Sequence, residues 1–450
     1  EIKEDIRLMS LPSTKLTPEN LRTSLRLGDV EPIYSRRLLE KAKRIEEHLS
    51  KGEKVALTGE AMVGKTTLLY RIVSDILTGS AAGSWAGSNR VYTEGLKDIP
   101  PGAVFVRHSS FLTDTVLNVL SQHQGPALVE ARSEDWKKLR EAQGFVVVEV
   151  EREDYEGVLG EILRAKLKRE SVSYTEEGVK EAVNASEGLV GYLDSLVVHL
   201  RGQGMELDAQ TAKSLPGDVL DLIASTVADV SNKGGKGISM LYCLSLARER
   251  RLHSVQLKAL ANKLGANVRD VEPYLLRQHD VYYLRHELWA EVLRNDWKEM
   301  GILQREPDAL ADLRMDEKTY EKSLMDALES SLNDLPRLSG FGPLTASIIA
   351  LDNYPELATK LYDLSLSAQE GVRCHMMEAI GLKVPNFADM FAREKGEAPR
   401  KALEELLNKL VDQLDCAPHL ALRVLEGLEK EYEGEQGNQA PLAFIYVNAG

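Results

Sequence analysis

Gly59-Glu60-Ala61-Met62-Val63-Gly64-Lys65-Thr66 sets two glycines, a lysine and a threonine at the spacing that cradles phosphate. Gly59 and Gly64 let the backbone turn tightly and aim its N–H groups at an anion, with no Cβ in the way. Lys65 is placed to reach the β and γ phosphates, the Thr66 hydroxyl to ligate Mg²⁺, and Thr67 to meet the α-phosphate. Behind the loop, Leu68, Leu69, Ile72, Val73, Ile76 and Leu77 recur at helical spacing, so a helix presents its positive dipole end to the same anion. Before it, Lys54 to Thr58 is an apolar run that reads as a buried strand. Strand, glycine loop and helix in this order predict binding of ATP or ADP with Mg²⁺.

Other elements must hold that loop in place. Arg36 to Leu49 reads as a helix leading into the first strand. Strand-like segments follow at Val91–Glu94, Ala103–Arg107, Ala127–Ala131 and Phe145–Val150. Helical stretches near Leu112–Gln122 and Glu134–Ala142 lie between the last three. The expectation is a multi-domain chain that opens with an α/β P-loop NTPase domain: a five-stranded parallel sheet covered on both faces. The first thirty residues lack periodicity and read as an extended arm, and Gly79 to Asn89, with Trp85, as a flexible loop.

From Asp154 onward the pattern turns helical, near Asp154–Leu167, Glu176–Ala185, Val190–Leu200 and Pro216–Ser231. Ser231 to Gly237 is a glycine-rich linker. Met240–Glu249, Ser254–Leu264 and Val268–Arg277 then predict three short helices, the last pair joined by a helix-turn-helix break at Gly265-Ala266-Asn267. Val281 to Leu284 adds a strand, as a wing would. Glu317–Leu332, Pro343–Asp352, Pro355–Ser367, Val372–Leu382, Pro399–Leu414 and Pro418–Tyr432 read as a helical array without a fixed repeat. The expected partition is an arm (1–30), an α/β domain (31–151), a helical lid (152–235), a winged helix (236–300) and a C-terminal helical domain (301–450).

At 450 residues the chain is too long for a single core. No apolar run is long enough for a transmembrane span, and Glu1 to Asp5 is charged where a signal peptide would be apolar. Cys243, Cys374 and Cys416 are far apart and have no metal-ligand spacing. They read as buried thiols in a reducing cytosol, and the expected location is cytoplasmic. The net charge of −14 falls mostly in residues 301–450, with 15 Lys/Arg against 26 Asp/Glu. An acidic C-terminal third repels a phosphate backbone and suits a protein partner better.

Residues 31–300 resemble the STAND class of P-loop switch ATPases, relatives of NACHT and NB-ARC proteins, and above all their compact archaeal-type, AAA+-like members. Besides the phosphate loop, the resemblance rests on three features. Val129-Glu130-Ala131-Arg132 ends the fourth strand, where the family's arginine senses the γ-phosphate, a task suited to a bidentate fork that is always charged. Glu187-Gly188-Leu189-Val190-Gly191-Tyr192-Leu193 lies where the family touches adenine and sugar, with Val190 in the slot of a proline. Leu284-Arg285-His286-Glu287-Leu288-Trp289 is similar to the segment whose histidine contacts the β-phosphate of ADP. Imidazole suits that role because it donates a hydrogen bond and gains charge near neutral pH.

One departure stands out. The family carries an acidic pair after its third strand, the carboxylates that hold Mg²⁺ and position the attacking water. Here Val106 is followed by Arg107-His108-Ser109-Ser110, and Asp114 and Glu130 are the candidate substitutes. The resemblance therefore implies a nucleotide switch with weak or absent hydrolysis. ADP would staple the α/β domain to the winged helix through Lys65 and His286, and ATP would favour an open, oligomeric form. The acidic helices would take a protein partner. The alternatives are an AAA+ initiator or transcription regulator that binds DNA through the winged helix, and a scaffold with a structural nucleotide. The basic residues Arg248, Arg250, Arg251, Lys258, Lys263, Arg269 and Arg277 form no dense patch for DNA.

Overall fold

A computed structural model describes residues 13–28, 30–83, 90–96, 99–108, 114–135, 138–139, 144–338, 341–384, 387, 390–391 and 416–433. These residues form two compact units. One runs up to Asp229 and takes in His286–Glu306, and the other combines Val230–Arg285 with the chain from Pro307 onward.

The first unit is built on a six-stranded sheet. Its strands are β1 (Ser13–Leu16), β2 (Lys54–Thr58), β3 (Val91–Glu94), β4 (Val104–Arg107), β5 (Ala127–Glu130) and β6 (Phe145–Glu149), in the spatial order β1-β3-β4-β5-β2-β6. Strands β2 to β6 are parallel, as the alternation of strands and helices predicts. The pleat sends alternate residues to opposite faces. Val55, Leu57, Val104, Val106 and Leu128 join one buried cluster, while Ala56, Phe105, Ala127 and Val129 join another. Both faces are therefore covered. Helices Arg36–Ser50 and Lys65–Thr78 pack into the first cluster and Asp114–Gln122 into the second.

The sheet departs from expectation at its edge. Where the expected arm is described it is no extended arm: from Ser13 on, β1 pairs antiparallel with β3, and helix Pro18–Ser24 follows it, opened by a reciprocal Thr17–Asn20 capping box. The sheet is thus mixed and six-stranded. Glu134 lies in a 3-10 turn, Ser133–Asp135, while most of the helix expected to follow, and all of the one over 399–414, fall outside the described residues. Helices Leu159–Arg169, Glu176–Ala185 and Val190–Gln203 complete this unit's larger core.

The second unit opens with helix Gly237–Leu246, β7 (Arg251–His253) and helix Ser254–Leu264. The expected helix over Val268–Arg277 does not form. Two 3-10 turns, Val268–Asp270 and Glu272–Tyr274, lead into β8 (Leu275–Gln278), which pairs with β9 (Val281–Leu284). Pro273 accounts for the change, since it disfavours helical backbone at Glu272 and carries no N–H for an α-turn. The three strands make an antiparallel sheet of order β7-β9-β8.

Of the remaining helices, Glu317–Ser331, Phe341–Ile348, Pro355–Leu366, Glu370–Lys383 and Pro418–Glu433 follow the expected array closely, and Asp308–Met315 adds one that was not expected. Cys374 and Cys416, expected as free thiols, are joined as a disulfide across 42 residues of sequence, while Cys243 stays a buried thiol. Packing of the helix that carries Cys374 beside the Pro418–Glu433 helix brings the two Cα atoms to 4.9 Å, within bridging range. Among the described residues, no helix is long and apolar enough to cross a membrane.

Candidate functional site

The phosphate loop leaves β2 at Thr58 and enters the helix at Lys65. Gly59 (φ 145°), Met62 (φ 65°) and Gly64 (φ 102°) all take the left-handed backbone that folds the loop back on itself. Contacts make the glycines obligatory as well. A Cβ on Gly59 would lie 2.5 Å from Val150 O, and one on Gly64 would lie 2.1 Å from the Tyr155 hydroxyl. Gly64 caps the helix with no side-chain bond; Thr67 N–H donates to Gly64 O at 3.1 Å, and the N–H groups of Lys65 and Thr66 are placed to meet an anion.

The loop is braced from outside. Tyr155 donates from its hydroxyl to Gly64 O at 2.9 Å, and burial pushes its phenol pKa up, so it remains a donor. Arg152 grips both carboxylate oxygens of Glu60, with Nη2 at 2.8 Å from Oε2. At the start of helix Val190–Gln203, Gly191 N–H donates to Met62 O at 2.9 Å. The side chain there must be hydrogen, because a Cβ on Gly191 would meet Met62 Cβ at 2.2 Å. Val190 is half-buried beside this contact and Val63 is buried in the core. Ala61 and Thr67 sit half-buried on the loop and the first helical turn.

Lys65 is buried, and its Nζ donates to Gly59 O at 2.9 Å and Glu60 O at 2.7 Å. Burial lowers its pKa, and the nearby Glu130 carboxylate opposes that shift. Glu130 ends β5, the strand beside β2, in register with Leu57. It is only 2% exposed, and its Oε2 lies 2.7 Å from His108 Nδ1. Burial raises the Glu130 pKa, but His108, Lys65 and the Thr66 hydroxyl together outweigh it and hold the carboxyl below its ordinary range. Of the two substitute carboxylates read from sequence, Glu130 is thus beside the loop. Asp114 starts helix Asp114–Gln122, and its side chain lies outside the described residues.

Arg132 and His286 both engage helix Glu287–Arg294. Arg132 Nη2 donates to Glu291 Oε1 at 2.7 Å and to Glu287 Oε2 at 3.5 Å, both on helix Glu287–Arg294. His286 is the N-cap of that helix, and its Nδ1 accepts the Leu288 N–H at 3.1 Å. With Nδ1 accepting, the ring proton belongs on Nε2, which is left as a donor. Burial, aided by the charges of Lys65 and Arg132 and opposed by Glu287 and Glu291, pushes the His286 pKa down to about 4. The expectation that this ring gains charge near neutral pH is therefore corrected: burial disfavours its charged form.

Sequence reasoning missed Arg152, Tyr155, Glu287 and Glu291, and it saw His108 only as a misfit. The Arg132–Glu291 pair spans 159 residues and leaves no local signature. Gly64 beside a bulky phenol is likewise visible only in three dimensions.

A phosphate loop on a sheet that is parallel but for its edge strand β1, with both faces covered, defines a P-loop NTPase fold. No family model matches the chain, and no curated protein does. Solved structures similar to it include a closed-state Hsp104 with ATPγS and casein (13% identity, TM-score 0.34, covering 56% of this chain and 53% of that one). The RuvB Holliday junction branch migration motor of Thermotoga maritima is similar at 18% identity and a TM-score of 0.28, over 64% and 96% of the two chains. A STAND protein with a tetratricopeptide repeat sensor from Pyrococcus horikoshii is similar at 13% identity and a TM-score of 0.34, over 90% and 69%. The chain spans about half the length of the Hsp104 chain it matches. Likenesses this distant carry no functional weight, which falls instead on the residues of the site.

Proposed function

We propose that this chain is a nucleotide-gated conformational switch of the STAND type. ADP locks the resting state and ATP favours an open form able to oligomerise. The observation that carries the reading is the convergence of three phosphate-seeking groups, Lys65, Arg132 and the Nε2–H of His286, within electrostatic reach of one another at the loop. Gly59 to Gly64 offers its backbone N–H groups to the β-phosphate, and Thr67 and Val190 border the rest of the nucleotide. Mg²⁺, when bound, would supply charge neutralisation to the phosphates, and Thr66 would be a protein ligand to it. His286 donates to the β-phosphate of ADP and staples the segment from 286 onward to the α/β core.

Arg132 gives the switch its sense. It is held by Glu291 and Glu287, so a γ-phosphate must compete with two carboxylates for the same guanidinium. Winning that competition draws Arg132 away from helix Glu287–Arg294 and weakens the closed arrangement. A difference of a few kcal/mol between the two nucleotides is enough to reverse the populations. Hydrolysis is weak or absent, since Arg107-His108 stands where a water-positioning acid belongs. With Ser13–Ser24 joined to the α/β domain in place of an arm, a helical lid (152–235), a winged helix (236–300) and a C-terminal helical domain (301–450) complete the proposed partition, and the acidic helices of the last are the surface for a protein partner. DNA recognition loses its support, because the expected recognition helix is replaced by 3-10 turns and β8.

The test is the nucleotide content of the purified protein. About one ADP per chain is expected, and Lys65→Ala is expected to lose it by removing the charge nearest the β and γ phosphates. Equal retention of ADP and ATP by wild type and Lys65→Ala would overturn the assignment of the loop.

A further inference from the structure

Resting on the nucleotide reading and deepening it, we infer that Glu130 is the carboxylate that holds the nucleotide's divalent cation together with Thr66, and that His108 is the residue that positions it. In place of a carboxylate at the end of β4 there is a donor, His108, and the carboxylate it supports ends β5, directly beside the strand that launches the loop. Ala131 N–H donates to Leu57 O at 2.8 Å, which pins Glu130 at the level where β2 gives way to the loop.

The two carboxylate oxygens differ. Oε2 is bound to His108 Nδ1 at 2.7 Å, whereas Oε1 is buried with no hydrogen-bond partner. A buried anionic oxygen without a donor is unfavourable unless something completes its shell. Its place says what that is: Glu130 stands opposite Leu57, at the level where β2 gives way to the loop that carries the Thr66 hydroxyl. A buried carboxylate oxygen beside the loop threonine calls for a small, hard cation. No group of three or more His, Cys, Asp or Glu able to hold a metal occurs among the described residues. The cation must therefore draw most of its ligands from phosphate oxygens and water, which is the habit of Mg²⁺ and sets it apart from the oxygen cage that Ca²⁺ needs. A buried water would also satisfy Oε1, but it would make no link between Glu130 and the metal dependence of nucleotide binding.

The test compares ADP affinity with Mg²⁺ and with EDTA, by calorimetry, in wild type, Glu130→Gln and Glu130→Asp. A parallel Mn²⁺ titration of the ADP complex is followed by electron paramagnetic resonance, and neither readout needs turnover. Glu130→Gln should lose the tightening of ADP binding by Mg²⁺, read as the ratio of the affinities with Mg²⁺ and with EDTA, by roughly tenfold or more, about one charge-assisted interaction. Mn²⁺ affinity should fall by the same factor. Glu130→Asp, which keeps the charge and shortens the reach, should lose part of the effect, and it serves if the glutamine variant does not fold. His108→Ala should reduce the Mg²⁺ tightening and His108→Asn, which keeps an N–H donor, should restore it; a merely structural role would shift the unfolding midpoint alone. Undiminished Mg²⁺ tightening in Glu130→Gln or Glu130→Asp overturns the inference. Failure of wild type to bind ADP under either condition overturns the nucleotide reading itself, a distinct result.

Discussion

Strands β4 and β5 lie side by side in register, Arg107 opposite Val129, yet they end in opposite chemistry. β4 ends on Arg107 and His108. β5 ends on Glu130, Ala131 and Arg132, an acid and a base two residues apart, with the buried Ala131 between them. The β5 end faces the loop through Glu130 and helix Glu287–Arg294 through Arg132, while the β4 end supplies the imidazole that supports Glu130. One strand end sets an acid and an arginine beside the loop, and its neighbour supplies the imidazole that supports the acid. A basic ending on one strand therefore does not leave the loop without a carboxylate beside it.

The largest effect that would break this contrast lies with His286, which faces the β5 end. Its pKa is near 4 in the fold, against about 6.5 unfolded, so the stability tied to the neutral ring is present above pH 6.5 and is lost as the pH falls toward 4. Full loss amounts to about 3 kcal/mol, so unfolding midpoints should drop over that window in wild type and much less in His286→Asn. Superimposable profiles would contradict the burial of a neutral imidazole. Next comes Arg132→Ala. Losing a charged donor to the γ-phosphate, worth about 1.5–3 kcal/mol, should weaken ATP binding roughly ten- to hundredfold and leave ADP nearly unchanged. Equal losses for both nucleotides would deny Arg132 its selective role.

On the supporting strand the effects should be smaller. His108→Ala leaves the Glu130 carboxylate without its partner at a site that water can reach, since His108 is 22% exposed, and should lower stability by about 1 kcal/mol. A change as large as that expected for His286 in denaturant titration would make β4 the dominant partner. Arg107→Ala should alter neither nucleotide affinity by more than about 0.5 kcal/mol, measured by calorimetry. A larger loss of ATP affinity would place Arg107 among the phosphate-binding groups and erase the contrast.

Legibility in the sequence tracks the range of the interactions. The phosphate loop and its flanks are contiguous chemistry, and the helix read from Leu68 to Leu77 is observed at Lys65–Thr78. The parallel strands are equally legible, because burial on both faces leaves short apolar runs. β1 is not: Ser13-Thr14-Lys15-Leu16 has no apolar alternation, and it is an edge strand held by backbone pairing to β3. The expected recognition helix fails on one residue, Pro273, inside a plausible apolar pattern. At the site, Lys65, Thr66, Arg132 and His286 can be named from motifs, whereas the Arg152–Glu60, Tyr155–Gly64 and Arg132–Glu291 contacts join residues 91 to 159 positions apart. Glu130 is visible in sequence only as one of two stray acids. Its burial and its bond to His108, which single it out, exist only once β4 and β5 are paired.

The switch turns on whether His286 distinguishes the two nucleotides. Calorimetric affinities for ADP and ATP, measured with wild type and His286→Ala under the same conditions, decide it most directly. Removal of one hydrogen bond to the β-phosphate, worth about 0.5–3 kcal/mol, should weaken ADP roughly two- to hundredfold. ATP affinity should change less, because the open form has already released the segment that carries the ring. An ADP-to-ATP affinity ratio that stays the same in the variant would contradict the switch.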